Sequence, residues 1–346
     1  MRSELEFDFH DKVGLQIVTE DPRAIDFYTS EYGHHSGRVG DNAPRICLDW
    51  QASNFPNKRL KAVSHAHKIF ARWTYTLSLD RDMITIGAAG NRFALPMVHH
   101  MLVHPSLRLL CSQRGTLLLH GSAVSRKGES VIFTGHGGTG KTTTSSILLS
   151  DDDPVWQMHA DDYVFINPGE GSYAYITRAH LYHDLLKIVP SVSERLSLFD
   201  QLQIAIYGSI RNISKEQIKW PVRLPLEHMW PDRTFSNTAS LLAIVVLEGS
   251  NSVSEIKIVP LEDELIVEEL LSMNFYEARH FINLVAPFEG ITWPSNWLDD
   301  WLESERDVLT RITNETKIYK LYIPLDQKTT PETEGKLRRE ISDLFS

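Results

Sequence analysis

Cysteine is scarce in this chain, with two residues, Cys47 and Cys111, among 346. That excludes a disulfide framework and makes a reducing compartment the simpler setting. Long apolar runs are missing too. The strongest, Ala239–Leu247, falls far short of the roughly 20 residues that a membrane helix needs. The start, Met1-Arg-Ser-Glu-Leu-Glu-Phe-Asp8, is acidic and lacks the apolar core of a secretory signal. A soluble, cytoplasmic protein with no membrane partner is expected. There is no basic excess: 35 Lys and Arg face 45 Asp and Glu, for a net charge of −10. A general nucleic-acid binder needs a basic face, so nucleic acid is not an expected partner. Histidine is plentiful at fifteen, including His34-His35, His65-Ala-His67 and His99-His100. None has a cysteine partner at metal spacing and no His-Glu-x-x-His helix occurs, so a zinc centre is not expected. Internal repeats and low-complexity tracts are also lacking.

What is present suffices for a sizeable core, since 42% of residues are hydrophobic and the length suits about two domains. Charge divides the chain into three. Residues 1–110 carry 13 basic and 12 acidic side chains, 111–260 carry 13 and 15, and 261–346 carry 9 and 18. The pattern of elements follows the same division. Residues 1–110 read as a strand-rich N-terminal module that caps the rest or docks a substrate. Val13–Val18 and Arg45–Trp50 alternate, with a loop at Tyr32–Ala43 between them. Ala71–Leu79 and Met83–Gly87 form a hairpin, and Leu95–Leu110 has helical spacing broken by Pro105.

Residues 111–260 are more regular. Thr116–Leu119 and Ser122–Ser125 read as two short strands, Ser130–Thr134 as a buried strand, and Lys141–Leu149 as a helix ending in Ser150-Asp-Asp-Asp-Pro154. Val155–His159 is strand-like, and Tyr163–Ile166 and Tyr173–Thr177 flank a turn. Leu241–Leu247 and Glu255–Val259 are later strands. Residues 261–346 read as a mostly helical acidic part packed on this core. Leu261–Met273 and Phe275–Leu284 are helical, and Pro294 suits the first turn of another helix. Trp293, Trp297 and Trp301 recur four apart, as a core or inter-domain seam. A strand at Thr316–Ile323 and a helix at Pro331–Leu344 close the chain.

The segment that carries chemistry is Gly135-His136-Gly137-Gly138-Thr139-Gly140-Lys141-Thr142, a complete G-x-x-x-x-G-K-[ST] phosphate loop between a strand and a helix. Its glycines let backbone N–H groups turn inward on phosphate oxygens, and the helix adds its positive end. Lys141 reaches the β- and γ-phosphates, Thr142 is placed for a magnesium ion, and Thr143 for the α-phosphate. Such a loop needs an acidic partner for metal and for activation of the acceptor. Asp161-Asp162 supplies it, at the end of a strand-like run twenty residues beyond Lys141. His120-Gly121, before the loop, can donate to phosphoryl oxygens or orient a carboxylate. Arg211, Arg223 and Arg233 read as surface residues.

In order and spacing, Leu119-His120-Gly121-Ser-Ala-Val124, Val131–Thr143 and Ala160-Asp161-Asp162 resemble the HPr kinase/phosphorylase family. The loop is also similar to that of phosphoenolpyruvate carboxykinase. The resemblance covers roughly residues 115–165. It implies an α/β (mixed α+β) fold with a P-loop kinase core around a central sheet, and a phosphotransferase that moves the γ-phosphoryl of ATP to an alcohol group. His120, Asp161, Asp162 and Lys141 would be catalytic, with base and metal roles divided between the two aspartates. Known acceptors of the family are serine hydroxyls, of a carrier protein, of a peptide precursor or of the free amino acid. The Arg-Gly-[Leu/Ile]-Gly signature of true HPr kinases is absent, so the carrier protein and the reverse, phosphorylase reaction are not implied.

Three readings follow. An ATP- and Mg-dependent kinase acting on a serine of a peptide or protein leads. A small-molecule kinase, and a regulator that binds ATP without turnover, are the alternatives. A homo-oligomer is compatible with each.

Overall fold

The computed structural model describes residues 2–52, 61–68, 70–151, 155–215, 221–262, 264–324 and 330–345. They form a mixed α/β chain in two compact units, Met1–Leu118 with Val267–Arg311, and Leu119–Ile266 with Ile312–Ser346.

The first unit holds a six-stranded sheet of β1 (Ser3–Phe9), β2 (Val13–Thr19), β3 (Arg45–Gln51), β4 (Val63–His67), β5 (Ala71–Asp80) and β6 (Met83–Gly90), in the order β1-β2-β3-β6-β5-β4. Alternation in β3 buries Ile46, Leu48 and Trp50, and β5 and β6 make the expected hairpin. Strand β2 runs parallel to β3, which requires a crossover, and the helix Pro22–Tyr32 provides it. The sequence predicts neither that helix nor β1. The helix start is set by the Asp21 carboxylate, which accepts from Arg23 N at 3.1 Å and from Trp50 Nε1 at 3.1 Å, and by Pro22 in the first turn.

Pro105 does not break its helix. The stretch runs from Ala94 to Gln113 through a π segment at His99–Val103, where His104 N–H bonds back to His99 O. Widening the turn there accommodates a proline that has no N–H to give. The two expected tail helices are one, Ile266–Val285, and Pro294 lies outside the next, Trp297–Glu315. Asn274, a polar residue that looks like a break, is wholly buried. Its Nδ2 donates to Glu305 Oε2 at 3.0 Å. Arg108 donates to both Glu305 oxygens at 3.0 and 3.1 Å and to Asn274 O at 2.8 Å, with Trp301 Nε1 donating to Glu305 Oε1 at 3.0 Å. The Trp293, Trp297 and Trp301 rings are buried around Phe281 in this unit's core.

The second unit is built on β7 (Leu117–Arg126), β8 (Glu129–Thr134), β9 (Gln157–Ala160), β10 (Tyr163–Asn167), β11 (Gly171–Tyr173), β12 (Ala179–Leu181), β13 (Val222–Leu224), β14 (Thr238–Ser250), β15 (Lys257–Pro260) and β16 (Lys317–Pro324). Eight of them share one sheet in the order β11-β10-β7-β8-β14-β16-β15, with β9 on β7, while β12 pairs with β13. Strand β11 also pairs with the start of β14, so the path β14-β8-β7-β10-β11 closes on itself. A buried clasp ties that closure. Ser130 Oγ lies 2.7 Å from Ser172 Oγ, which lies 2.9 Å from His159 Nε2, and His159 Nδ1 lies 2.7 Å from Ser236 O.

The expected pair Thr116–Leu119 and Ser122–Ser125 is the single strand β7, and the run at Tyr173–Thr177 is strand only as far as Tyr173. The helix Lys141–Leu149 has the expected bounds; Asp152–Pro154 lie outside the described residues. Boundaries drawn at 110 and 260 also differ from the compact units. Residues 267–311, with nine acidic and three basic side chains, belong to the first unit, and 312–346, with six of each, to the second. The cause is β16, which pairs in parallel with β14 and so draws the end of the chain into the second sheet.

Candidate active site

Topology brings the three sequence motifs to one end of the second unit's sheet. Strand β8 runs into the glycine loop. Strand β9 runs into Asp161, and since both are antiparallel to β7, their ends lie together beside the start of β7, where His120 sits. The register pairs Gly121 with Thr134 and Ala123 with Ala160. Cross-links fix the corner. Thr134 Oγ1 donates to His120 O at 2.8 Å, and Gly121 N–H donates to Asp162 O at 3.0 Å. Glycine is required at 121 because a Cβ there would stand 2.8 Å from Phe133 O.

The loop itself is shaped by positive φ at Gly135 (147°), Gly138 (86°) and Gly140 (98°), conformations that L side chains resist. His136, Gly137 and Gly138 are exposed, and Thr139, Gly140, Thr142 and Thr143 are half-buried. Lys141 is buried beneath the loop, and its Nζ donates to Gly135 O at 2.9 Å and His136 O at 3.2 Å. The ammonium is thus held by the loop's own carbonyls.

The two aspartates differ. Asp161 is the inner one, 6% exposed, and accepts hydrogen bonds from the Thr142 side chain and from the His180 N–H. Burial, reinforced by the neighbouring Asp162 charge, pushes its carboxyl up to about 7, against the opposing pull of Thr142, His180 and Lys141. Asp162 is the outer one, with Oδ1 3.5 Å from His120 Nε2. The His120 ring packs on Tyr163, 5.1 Å between centroids. Thr142 and the aspartates form a small set of oxygen donors. Such a set fits magnesium, which takes one or two carboxylates and completes its shell with water and phosphate oxygens. Among the described residues no group of three or more His, Cys, Asp or Glu side chains gathers as a metal site.

Beside Asp162 lie residues that the motifs do not mark. Burial and the Asp162 charge push the Tyr182 phenol up. Arg211 stands 5.7 Å from the Tyr182 ring centroid and donates to Asp184 Oδ2 at 2.8 Å. Both line a cavity of about 70 Å³ with His183, Lys187 and Tyr207. The helix that carries Arg211, Leu198–Ile213, leaves Leu198, Phe199, Leu202 and Ile206 exposed. No family model and no curated protein matches this chain. Arg233, read from sequence as a surface residue, instead donates to Leu149 O at 2.9 Å and to Asp151 O, closing the carbonyl end of the loop's helix. Among the described residues no helix is long and apolar enough to cross a membrane.

Proposed function

We propose that this chain is an ATP- and Mg-dependent phosphotransferase of the HPr-kinase-like group, built on a P-loop kinase core of that type. It passes the γ-phosphoryl to a hydroxyl. The observation that carries the reading is the meeting of Thr142, Lys141, Asp161, Asp162 and His120 at one sheet end, from three separate stretches of chain. Loop N–H groups and Lys141 hold the β- and γ-phosphates and take up negative charge as the bond to the leaving oxygen lengthens. Magnesium, when bound by Asp161 and Thr142, neutralises phosphate charge. Asp162, more exposed and beside His120, accepts the proton of the attacking hydroxyl, and His120 orients it. The hydroxyl oxygen then bonds to the γ-phosphorus in line with the departing ADP.

A peptide or protein serine is the favoured acceptor over a free small molecule. The helix Leu198–Ile213 turns Arg211 toward Tyr182 and exposes Leu198, Phe199, Leu202 and Ile206 on its opposite side, and exposed apolar surface of that kind suits a chain-like substrate. The test incubates the protein with γ-labelled ATP and host extract, and compares wild type with Lys141→Ala and Asp162→Asn by phosphoproteomics and metabolomics. Acceptors labelled by wild type alone support the proposal. Full labelling by both variants, or ATP binding with transfer to no acceptor, refutes it.

A further inference from the structure

The first unit carries a basic groove of its own. At one end of its sheet β2, β3 and β6 start side by side, with Gly14 paired to Arg45 and Arg45 to Met83. The connections that lead into these strands therefore lie together. Arg45 opens β3, and Arg81 stands in the two-residue turn between Asp80 of β5 and Met83 of β6. Arg114 follows the helix that ends at Gln113. With Asp41, Asn42 and Asp82, these side chains line a groove of about 530 Å³, within the size range of ligand sites.

Two of the three guanidinium charges are not cancelled. Arg114 pairs with Asp82, and Asp41 pairs with Arg38 at 3.4 Å, so both carboxylates of the wall are engaged. Arg45 donates to Gly40 O at 3.0 Å and to Asp41 O at 3.2 Å, neutral carbonyls that fix the guanidinium and leave its charge. Among the described residues no carboxylate pairs with Arg81. Its φ of 51° is a turn conformation that glycine, asparagine or aspartate adopts at less cost. In a chain of net charge −10, this gathering of positive charge is local.

A guanidinium is always charged, and its planar fork matches a carboxylate. The three here come from three separate connections, and two carboxylates share the wall, so no closed cationic cradle surrounds one compact phosphate. No aromatic side chain lines the groove for a base to stack on. Carboxylates strung along a peptide meet both limits. Met83, 38% exposed, offers apolar contact to the methylene groups that carry them. We infer that this groove docks an acidic segment of a partner polypeptide, with Arg45 and Arg81 as its carboxylate contacts. The inference uses the first unit alone and stands whether or not the second unit transfers phosphoryl groups.

The test follows a fluorescein-labelled octaglutamate by anisotropy as the full chain is added. Wild type is expected to bind the peptide at low salt and several-fold more weakly at physiological salt, because exposed charges are screened. Arg81→Glu weakens binding roughly tenfold, and Arg45→Gln several-fold. Lys127→Glu is the control. Lys127 holds the matching turn between β7 and β8, at φ 54°, and its variant makes the same change of charge in the other unit. It changes affinity less than twofold. Arg81 is exposed at a turn tip, so its variant reads contact rather than folding. A wild-type chain that does not bind the peptide overturns the inference, as does equal affinity in Arg81→Glu and Lys127→Glu. Displacement of the peptide by equimolar inorganic phosphate overturns it in favour of a single-ion site. Tighter, Arg81-dependent binding of a labelled octathymidylate overturns it in favour of a nucleic acid.

Discussion

Replacing Glu305 with Leu should destabilise the first unit more than replacing Glu305 and Arg108 together. The Arg108 guanidinium is 1% exposed and Glu305 is 0% exposed, so neither has water to fall back on. Removing the carboxylate alone strands a buried cation, and that costs about 3–5 kcal/mol. Removing both, as Arg108→Met with Glu305→Leu, eliminates the desolvated charges. The Trp301 Nε1–H and one of the two Asn274 Nδ2 hydrogens then lack a partner, each at about 1 kcal/mol, while Asn274 Nδ2 keeps its bond to Leu118 O. Each single change should cost about 3–5 kcal/mol and the double variant only about 2–3 kcal/mol, which makes the coupling energy about 5 kcal/mol. Urea unfolding of the full chain reads the midpoints of all four proteins. Nucleotide binding at 25 °C is the control, because the phosphate loop belongs to the other unit. A Glu305→Leu midpoint within about 0.5 kcal/mol of wild type, or additive costs in the double variant, would refute the account of a mutually dependent buried pair.

Acid should weaken the same unit through His35. Its ring is 7% exposed and packs 4.8 Å from Phe9. Burial, with His10 and His34 adding to it, lowers its pKa to about 3. A histidine lowered on folding contributes fully above its unfolded value near 6.5 and loses that contribution as pH falls toward 3. Between pH 7.5 and 5 the loss is about 2 kcal/mol, and His35→Gln should lose less over that interval by urea unfolding. Gly121→Ala should cost about 1–3 kcal/mol by thermal melting, because its Cβ would press on Phe133 O at 2.8 Å, and should slow phosphoryl transfer more than it weakens nucleotide binding. Arg233→Ala should lower the melting midpoint by an amount equivalent to about 1–2 kcal/mol. Arg233→Lys, which cannot reach two carbonyls with one planar fork, should recover only part of it.

The parts of the site that could be read in advance are those whose chemistry is local in sequence. Gly135, Gly138 and Gly140 must be glycine for backbone reasons, so loop and helix emerge together at the expected residues. Asp161 and Asp162 follow a short strand-like run, which is again local. His120 is less legible, because Gly121 reads as a strand end while in the fold it lies inside β7, where a Cβ would meet Phe133 O of β8. The helix Leu198–Ile213 is a different case. Leu198, Leu202, Ile206 and Ile213 recur at helical spacing, so the helix itself has a sequence signal; what the sequence does not show is that this stripe faces outward while Ile204 is buried. Its start did carry a signal in Ser197, whose Oγ accepts from Asp200 N at 3.1 Å. The split of the tail at residue 311 has no local mark at all, because it falls inside the continuous helix Trp297–Glu315.

The place of β16 in the sheet also sets an order of events during synthesis. The glycine loop, both aspartates and His120 leave the ribosome long before residue 317, yet the edge of β14 stays open and β15 has no strand to pair with until Lys317–Pro324 emerges. An open strand edge is a template for the wrong partner. The second unit can complete its sheet only once Lys317–Pro324 has been made, and the helix Pro331–Ser342 arrives later still. A chain cut short before β16 would carry every phosphate-binding motif and still lack the strand that closes the sheet behind them.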